Sequence, residues 1–158
     1  METNWLNEAE MKAWRSYIET VGDLSAAIER DLVAHGLTLG DYQVLVYLSE
    51  VDSGAMRMCD LADRLQLSPS GLTRRLDGLV TSKHVTRQPS ELDGRVMNAV
   101  LTASGADLLA STAPHHVDSV RQHIFDHLTA DQVDAMADIF TAIGAAFDAA
   151  ASASPGNC

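Results

Sequence analysis

The densest set of chemistry-bearing side chains lies between Ser68 and Asp77, where the chain reads SPSGLTRRLD. Ser68, Ser70 and Thr73 bring hydroxyls beside Gly71, and Arg74 and Arg75 bring guanidiniums. Such groups donate to phosphates and base edges. Leu72, Leu76, Leu79 and Val80 recur at i, i+4, i+7 and i+8, which gives one helix an apolar stripe and leaves the polar set on its opposite face. Serine before proline starts that helix, because the hydroxyl caps a free amide and proline at the first position needs no donor. Ser68 is therefore read mainly as a cap. Hydroxyls and arginines on the first turns suit a helix end inserted into the major groove of duplex DNA.

A second helix has to hold this one in place. Leu61, Ala62 and Leu65 form its inner face, with Asp60, Asp63 and Arg64 outside, and Leu67 leads into the cap. After residue 82, Val85-Thr86-Arg87 and Val96 to Leu101 are β-prone runs joined by QPSELDGR. Pro89 and Asp93-Gly94 mark this connector as a turn-rich loop, so the runs pair and Arg95 stands at the tip of a projecting hairpin. Helix, turn, helix and basic-tipped hairpin make a winged helix-turn-helix, in which Arg95 is the candidate for the minor groove, most favourably at narrow A·T tracts.

These residues resemble the MarR-type transcriptional regulators. The likeness is carried by Leu61-Ala-Asp-Arg-Leu65, by Leu67-Ser-Pro-Ser-Gly-Leu-Thr-Arg-Arg-Leu-Asp77, by Asp93-Gly94-Arg95 in the D-x-R wing position and by Leu101-Thr-Ala-Ser-Gly105 closing the wing. Gly36-Leu-Thr-Leu-Gly-Asp-Tyr-Gln-Val-Leu45 resembles the segment that precedes the reading head. The likeness spans about residues 10 to 148. It implies Ser68, Ser70, Gly71, Thr73, Arg74, Arg75 and Arg95 as DNA-binding residues, and Asp93 as a residue that orients the wing through an ion pair. One departure is Gly94, where many relatives carry a second arginine.

The totals agree with a regulator and exclude several other classes. With 158 residues and 46% hydrophobic but only 5% aromatic composition, the chain fits one mainly helical domain. No apolar run approaches the ~20 residues of a membrane span, and Met1-Glu-Thr-Asn-Trp lacks a secretion pattern, so a cytoplasmic protein is expected. Cys59 and Cys158 give neither a disulfide framework nor a metal spacing. Without a phosphate-binding glycine loop, a nucleophile elbow or a histidine–acid pair at catalytic spacing, no enzyme and no cofactor is expected.

The net charge of −11 is unevenly spread: residues 57 to 95 hold seven of the eleven basic side chains against five acids, a net of +2, and the remainder carries −13. Local field outweighs the total because screening limits reach to roughly 8 Å at physiological salt. The acidic remainder should suppress non-specific binding and sharpen the dependence on salt. It also leaves open a winged-helix protein-interaction module that does not bind DNA.

Outside the reading head the spacing predicts long helices. Residues 8 to 34 place Trp14, Tyr17, Ile18, Val21, Leu24, Ile28 and Leu32 at helical intervals, with Glu19, Asp23 and Glu29 outside. Thr38 caps the next helix with Asp41 three places on. Thr102 caps another, which Pro114 should kink or break. Thr129-Ala-Asp-Gln132 opens the last, where Val133, Met136, Phe140, Ile143 and Phe147 step by 3, 4, 3 and 4. Helices 8–34 and 115–148 carry more apolar surface than the head can cover, which predicts a twofold dimer. The expected organisation is 1–36 and 103–148 for dimerisation, 37–102 for DNA binding and 149–158 as a disordered tail. Trp14 and Tyr17, with Tyr42 nearby, are candidates to line a crevice that in this family often accepts small aromatic acids or phenols; ordinary packing is the competing reading. His116, His123 and His127 at i, i+7 and i+11 raise a zinc-responsive alternative, weakened by their separation and the lack of a cysteine among them. Redox response is disfavoured, since Cys59 reads as a small core residue and Cys158 lies on the tail.

Overall fold

The structure, a computed structural model, describes residues 2–91 and 93–152. Among these, six α-helices and three strands follow in the order α1 (Glu8–Val33), α2 (Leu39–Ser49), β1 (Ala55–Arg57), α3 (Met58–Arg64), α4 (Pro69–Thr81), β2 (Val85–Pro89), β3 (Met97–Leu101), α5 (Ala103–His123) and α6 (Ala130–Ser152), with a 3-10 turn at Phe125–His127. The strands form an antiparallel sheet in the order β1-β3-β2, pairing Met56 with Ala99 and Thr86 with Val100. Mainly helical with a small β wing, this is the winged helix-turn-helix that the residues predict.

Local chemistry sets the boundaries. Asn7 and Glu10, Thr38 and Asp41, and Thr129 and Gln132 each bond reciprocally across the first turn of a helix. Ser68 accepts from the Gly71 amide at 3.1 Å, with Pro69 at the first helical position. After α1, Gly36 takes φ +81°, and the Leu37 amide returns to the Leu32 carbonyl, which ends the helix. The turn between α3 and α4 bends at Gln66 with φ +53°.

One core gathers around α2. Val44, Leu45 and Leu48 are fully enclosed together with Leu61 of α3, Leu76 of α4 and Val85 of β2. From α1 only its C-terminal third joins, through Ile28 and Leu32, and residues 12–20 are exposed. The face of α6 is equally bare: Phe140 and Ile143 are each 49% exposed and Phe147 69%.

Four local expectations need correction. Of the kink or break expected at Pro114, the break does not occur: α5 is continuous through the proline, held along α1 by contacts that include the bond from Ser119 to Asp31; the chain breaks instead at Ile124. Pro89 belongs to β2 rather than to the loop, which an outer strand tolerates. α6 continues to Ser152, so 149–152 of the expected tail are helical, in keeping with the alanine run; 153–158 lie outside the described residues. Glu29 does not face away: its carboxylate accepts the Leu39 amide at 2.7 Å, so α1 helps cap α2.

Candidate nucleic-acid interface

Burial of Leu72, Leu76 and Leu79 turns the other side of α4 outward. Ser70, Thr73 and Arg74 are exposed there, beside Ser68. The Ser68 and Ser70 hydroxyls lie 3.2 Å apart, and Thr73 donates back to the Pro69 carbonyl at 3.0 Å. Gly71 lies against Ser68 and Leu67, where an added Cβ would be crowded by the capping hydroxyl. The first turn of α4 is thus built compactly and its amide end faces solvent, a site that favours anionic oxygen.

Arg75 departs from this group. Its guanidinium lies across Gly40 at the start of α2 and donates to the Thr38 hydroxyl at 3.4 Å, so the two neighbouring arginines diverge. A shallow recess beside them is lined by Thr38, Asp41, Leu67, Gly71, Arg74, Arg75 and Gly78.

Arg95 is exposed in the turn of the wing. Its amide donates to the Asp93 carboxylate at 3.0 Å, and the Val96 amide to the Asp93 carbonyl at 2.9 Å. Asp93 shapes the wing through this turn, and among the described residues no ion pair of Asp93 is found, contrary to the expectation from the D-x-R resemblance. The ion pair that ties wing to helix is elsewhere. Arg87 of β2 donates to the Asp77 carboxylate and to the Thr73 carbonyl, both at 2.8 Å. Its partners lie ten and fourteen residues away in sequence, and no periodicity signals the pairing. Arg64 is engaged too, with Glu50 at 3.3 Å and over the Tyr47 ring at 4.8 Å.

The expected aromatic crevice is not assembled within one chain. Trp14 and Tyr17 form an exposed pair with ring centroids 5.9 Å apart, whereas Tyr42 is buried in the core. Fourteen residues of helix separate Trp14 from Ile28, where α1 meets the core, a rise of about 21 Å. A different cleft of about 670 Å³ opens between α1 and the end of α5, floored by Leu24, Ala27, Ile124, Leu128 and Met136.

The histidines also part company, because α5 ends at His123 and His127 falls in the 3-10 turn. His123 pairs with Asp31 at 2.9 Å, and the bonds from Ser119 and His123 hold the Asp31 carboxyl below its usual range. His116 packs on the Tyr42 ring at 4.3 Å with its Nδ1 buried and without a hydrogen bond, and burial lowers its pKa. Among the described residues no cluster of three metal-ligating side chains forms. Because His116 resists protonation in the folded state, stability is complete above the ordinary imidazole value of about 6.5 and falls as pH drops through it. Thermal unfolding followed between pH 7.5 and 5.5 is expected to show a shallower loss for His116→Phe than for the parent. Equal slopes would remove His116 as the cause.

The order of these elements is matched by known proteins. A family model described as the MarR family aligns with residues 35–96. The structure of AbsC, a MarR family transcriptional regulator from Streptomyces coelicolor, superposes with a TM-score of 0.87 at 36% identity, over 93% of this chain and 99% of that one. This chain belongs to the MarR family. Sco3205, a MarR family regulator of the same organism whose structure is a complex with DNA, matches at 35% identity and a TM-score of 0.85 over 90% of each chain. A cysteine-to-serine mutant of Escherichia coli MarR, complexed with operator DNA, shares the fold at 22% identity and a TM-score of 0.74, over 89% of this chain and 99% of that one. No curated protein sequence matches. As a MarR family member the chain is a transcriptional regulator and not an enzyme, and among its described residues no helix is long and apolar enough to cross a membrane.

Proposed function

We propose that this MarR-family chain is a homodimeric, sequence-specific DNA-binding repressor in the cytoplasm. It acts on a palindromic operator and is released by a small ligand such as a phenol or aromatic acid. The observation that carries the reading is the outward face of α4, where Ser70, Thr73 and Arg74 stand clear of the core beside a capped helix start, with Arg95 exposed on the wing. Helix α4 would enter the major groove and the wing the flanking minor groove, and two copies about 34 Å apart would read both half-sites. The exposed Trp14–Tyr17 pair supports the aromatic effector, which would act by binding the DNA-competent and splayed dimers unequally.

Duplexes selected from random DNA by the purified protein provide the test. Affinity for a selected duplex is expected to fall steeply as log salt rises. Arg95→Ala and Arg74→Ala should each weaken binding about tenfold and lower the salt slope by roughly 0.9 for each phosphate no longer neutralised. Failure to bind any duplex at low ionic strength would leave the protein-interaction reading in its place. Adding salicylate-like acids to the complex tests the effector, and unchanged affinity across a series of phenols and aromatic acids would sink it.

A further inference from the structure

Two adjacent arginines on a groove-reading helix invite the same role for both. The geometry points to a division of labour instead: Arg74 meets DNA, and Arg75 is a positioning residue that holds α4 on the first turn of α2, with Gly40 as its seat. This rests on the DNA-binding reading.

The seat is steric before it is polar. A Cβ on Gly40 would overlap the Arg75 guanidinium, so the group occupies space that any side chain at residue 40 would fill. The bond to Thr38 is long at 3.4 Å and contributes direction more than strength. A cation over the positive end of a helix is unfavourable by itself, and two carboxylates offset this. Asp41 accepts from the Thr38 amide and hydroxyl at 3.1 and 2.6 Å, and Glu29 accepts the Leu39 amide. The same carboxylates argue against a phosphate at this place, since like charge would repel it. Arg74 is exposed, and among the described residues no side chain bonds to it. Through Glu29 the turn is also tied to α1, so α4 is referenced to the helix that leads away from the head.

The experiment uses the full-length protein, a selected duplex and a random duplex of equal length. In Arg75→Ala, affinity for the selected duplex should drop about tenfold, affinity for the random one should stay within about twofold, and the salt slope should not change. Arg74→Ala should lower the slope for both duplexes. A fall in slope for Arg75→Ala equal to that for Arg74→Ala would mean that Arg75 touches phosphate, and would overturn the assignment. Stability gives a second test that needs no DNA. Gly40→Ala should lower the Tm of the parent and have little effect in the Arg75→Ala background, since the colliding group is gone. Additive losses would show that Gly40 does not seat Arg75. A parent protein that binds no duplex would defeat the DNA-binding reading and this division of labour with it, whatever the stability cycle shows about the seat.

Discussion

Replacing Phe140 and Ile143 together by aspartate is expected to yield a folded monomer whose affinity for a palindromic duplex is lower by a factor of about 10² or more. Both side chains are about half exposed on α6, and neither belongs to the core around α2, so the reading head should keep its fold. What changes is valency. A dimer places its second recognition helix at high effective concentration over the second half-site, and a monomer must bind each half-site separately. Sedimentation or light scattering reports the mass, and circular dichroism reports the head. A variant that stays dimeric would move the interface away from this seam; a monomer that binds with undiminished affinity would remove dimerisation from the mechanism.

Gly105→Ala is expected to be the most damaging single methyl addition in the chain. Gly105 is buried in the first turn of α5, where a Cβ would overlap the His84 carbonyl oxygen and press within 2.8 Å of the Leu101 side chain. The obstacle is backbone and cannot swing aside. That carbonyl already accepts the Thr102 amide and hydroxyl, at 3.1 and 3.0 Å, so moving it also disturbs the cap of α5. Overpacking of this kind costs about 3 kcal/mol, or a fall of about 6–12 °C in Tm. Gly78→Ala is the control, being a helical glycine with nothing near the added atom. Comparable Tm losses in the two would dismiss the close approach as the cause.

Much of the fold was legible because its signals are local. The caps at Thr38, Ser68, Thr102 and Thr129, the stripe on α4 and the turn at Asp93-Gly94 each lie within a few residues of what they organise. The candidate interface was legible to the same depth: Ser70, Thr73, Arg74 and Arg95 are exposed where the spacing puts them. The destination of a long side chain was not. Arg75 reaches a partner 37 residues away, and Arg87 reaches across from the wing to α4. Helical spacing gives the direction of a Cβ, while a guanidinium several bonds further on goes where tertiary packing leaves room. Tyr42 lies on the core side of α2, as its spacing puts it, but away from the exposed Trp14–Tyr17 pair, because helical spacing does not say how far along α1 the contact with α2 falls. The run through Pro114 shows the other limit, where packing on both sides of a proline outweighs its local preference.

Pro89 carries a further consequence. It closes β2, which has a neighbour only at β3, and it pairs there with Met97. The other margin of β2 would otherwise offer a row of free amides on which a second molecule could add a strand, and a ring without a donor interrupts that row. Proteins crowded along DNA meet one another often, so the proline makes the wing a poor nucleus for aggregation. Pro89→Val should leave the fold intact and hasten the appearance of sheet-rich aggregates in concentrated solution.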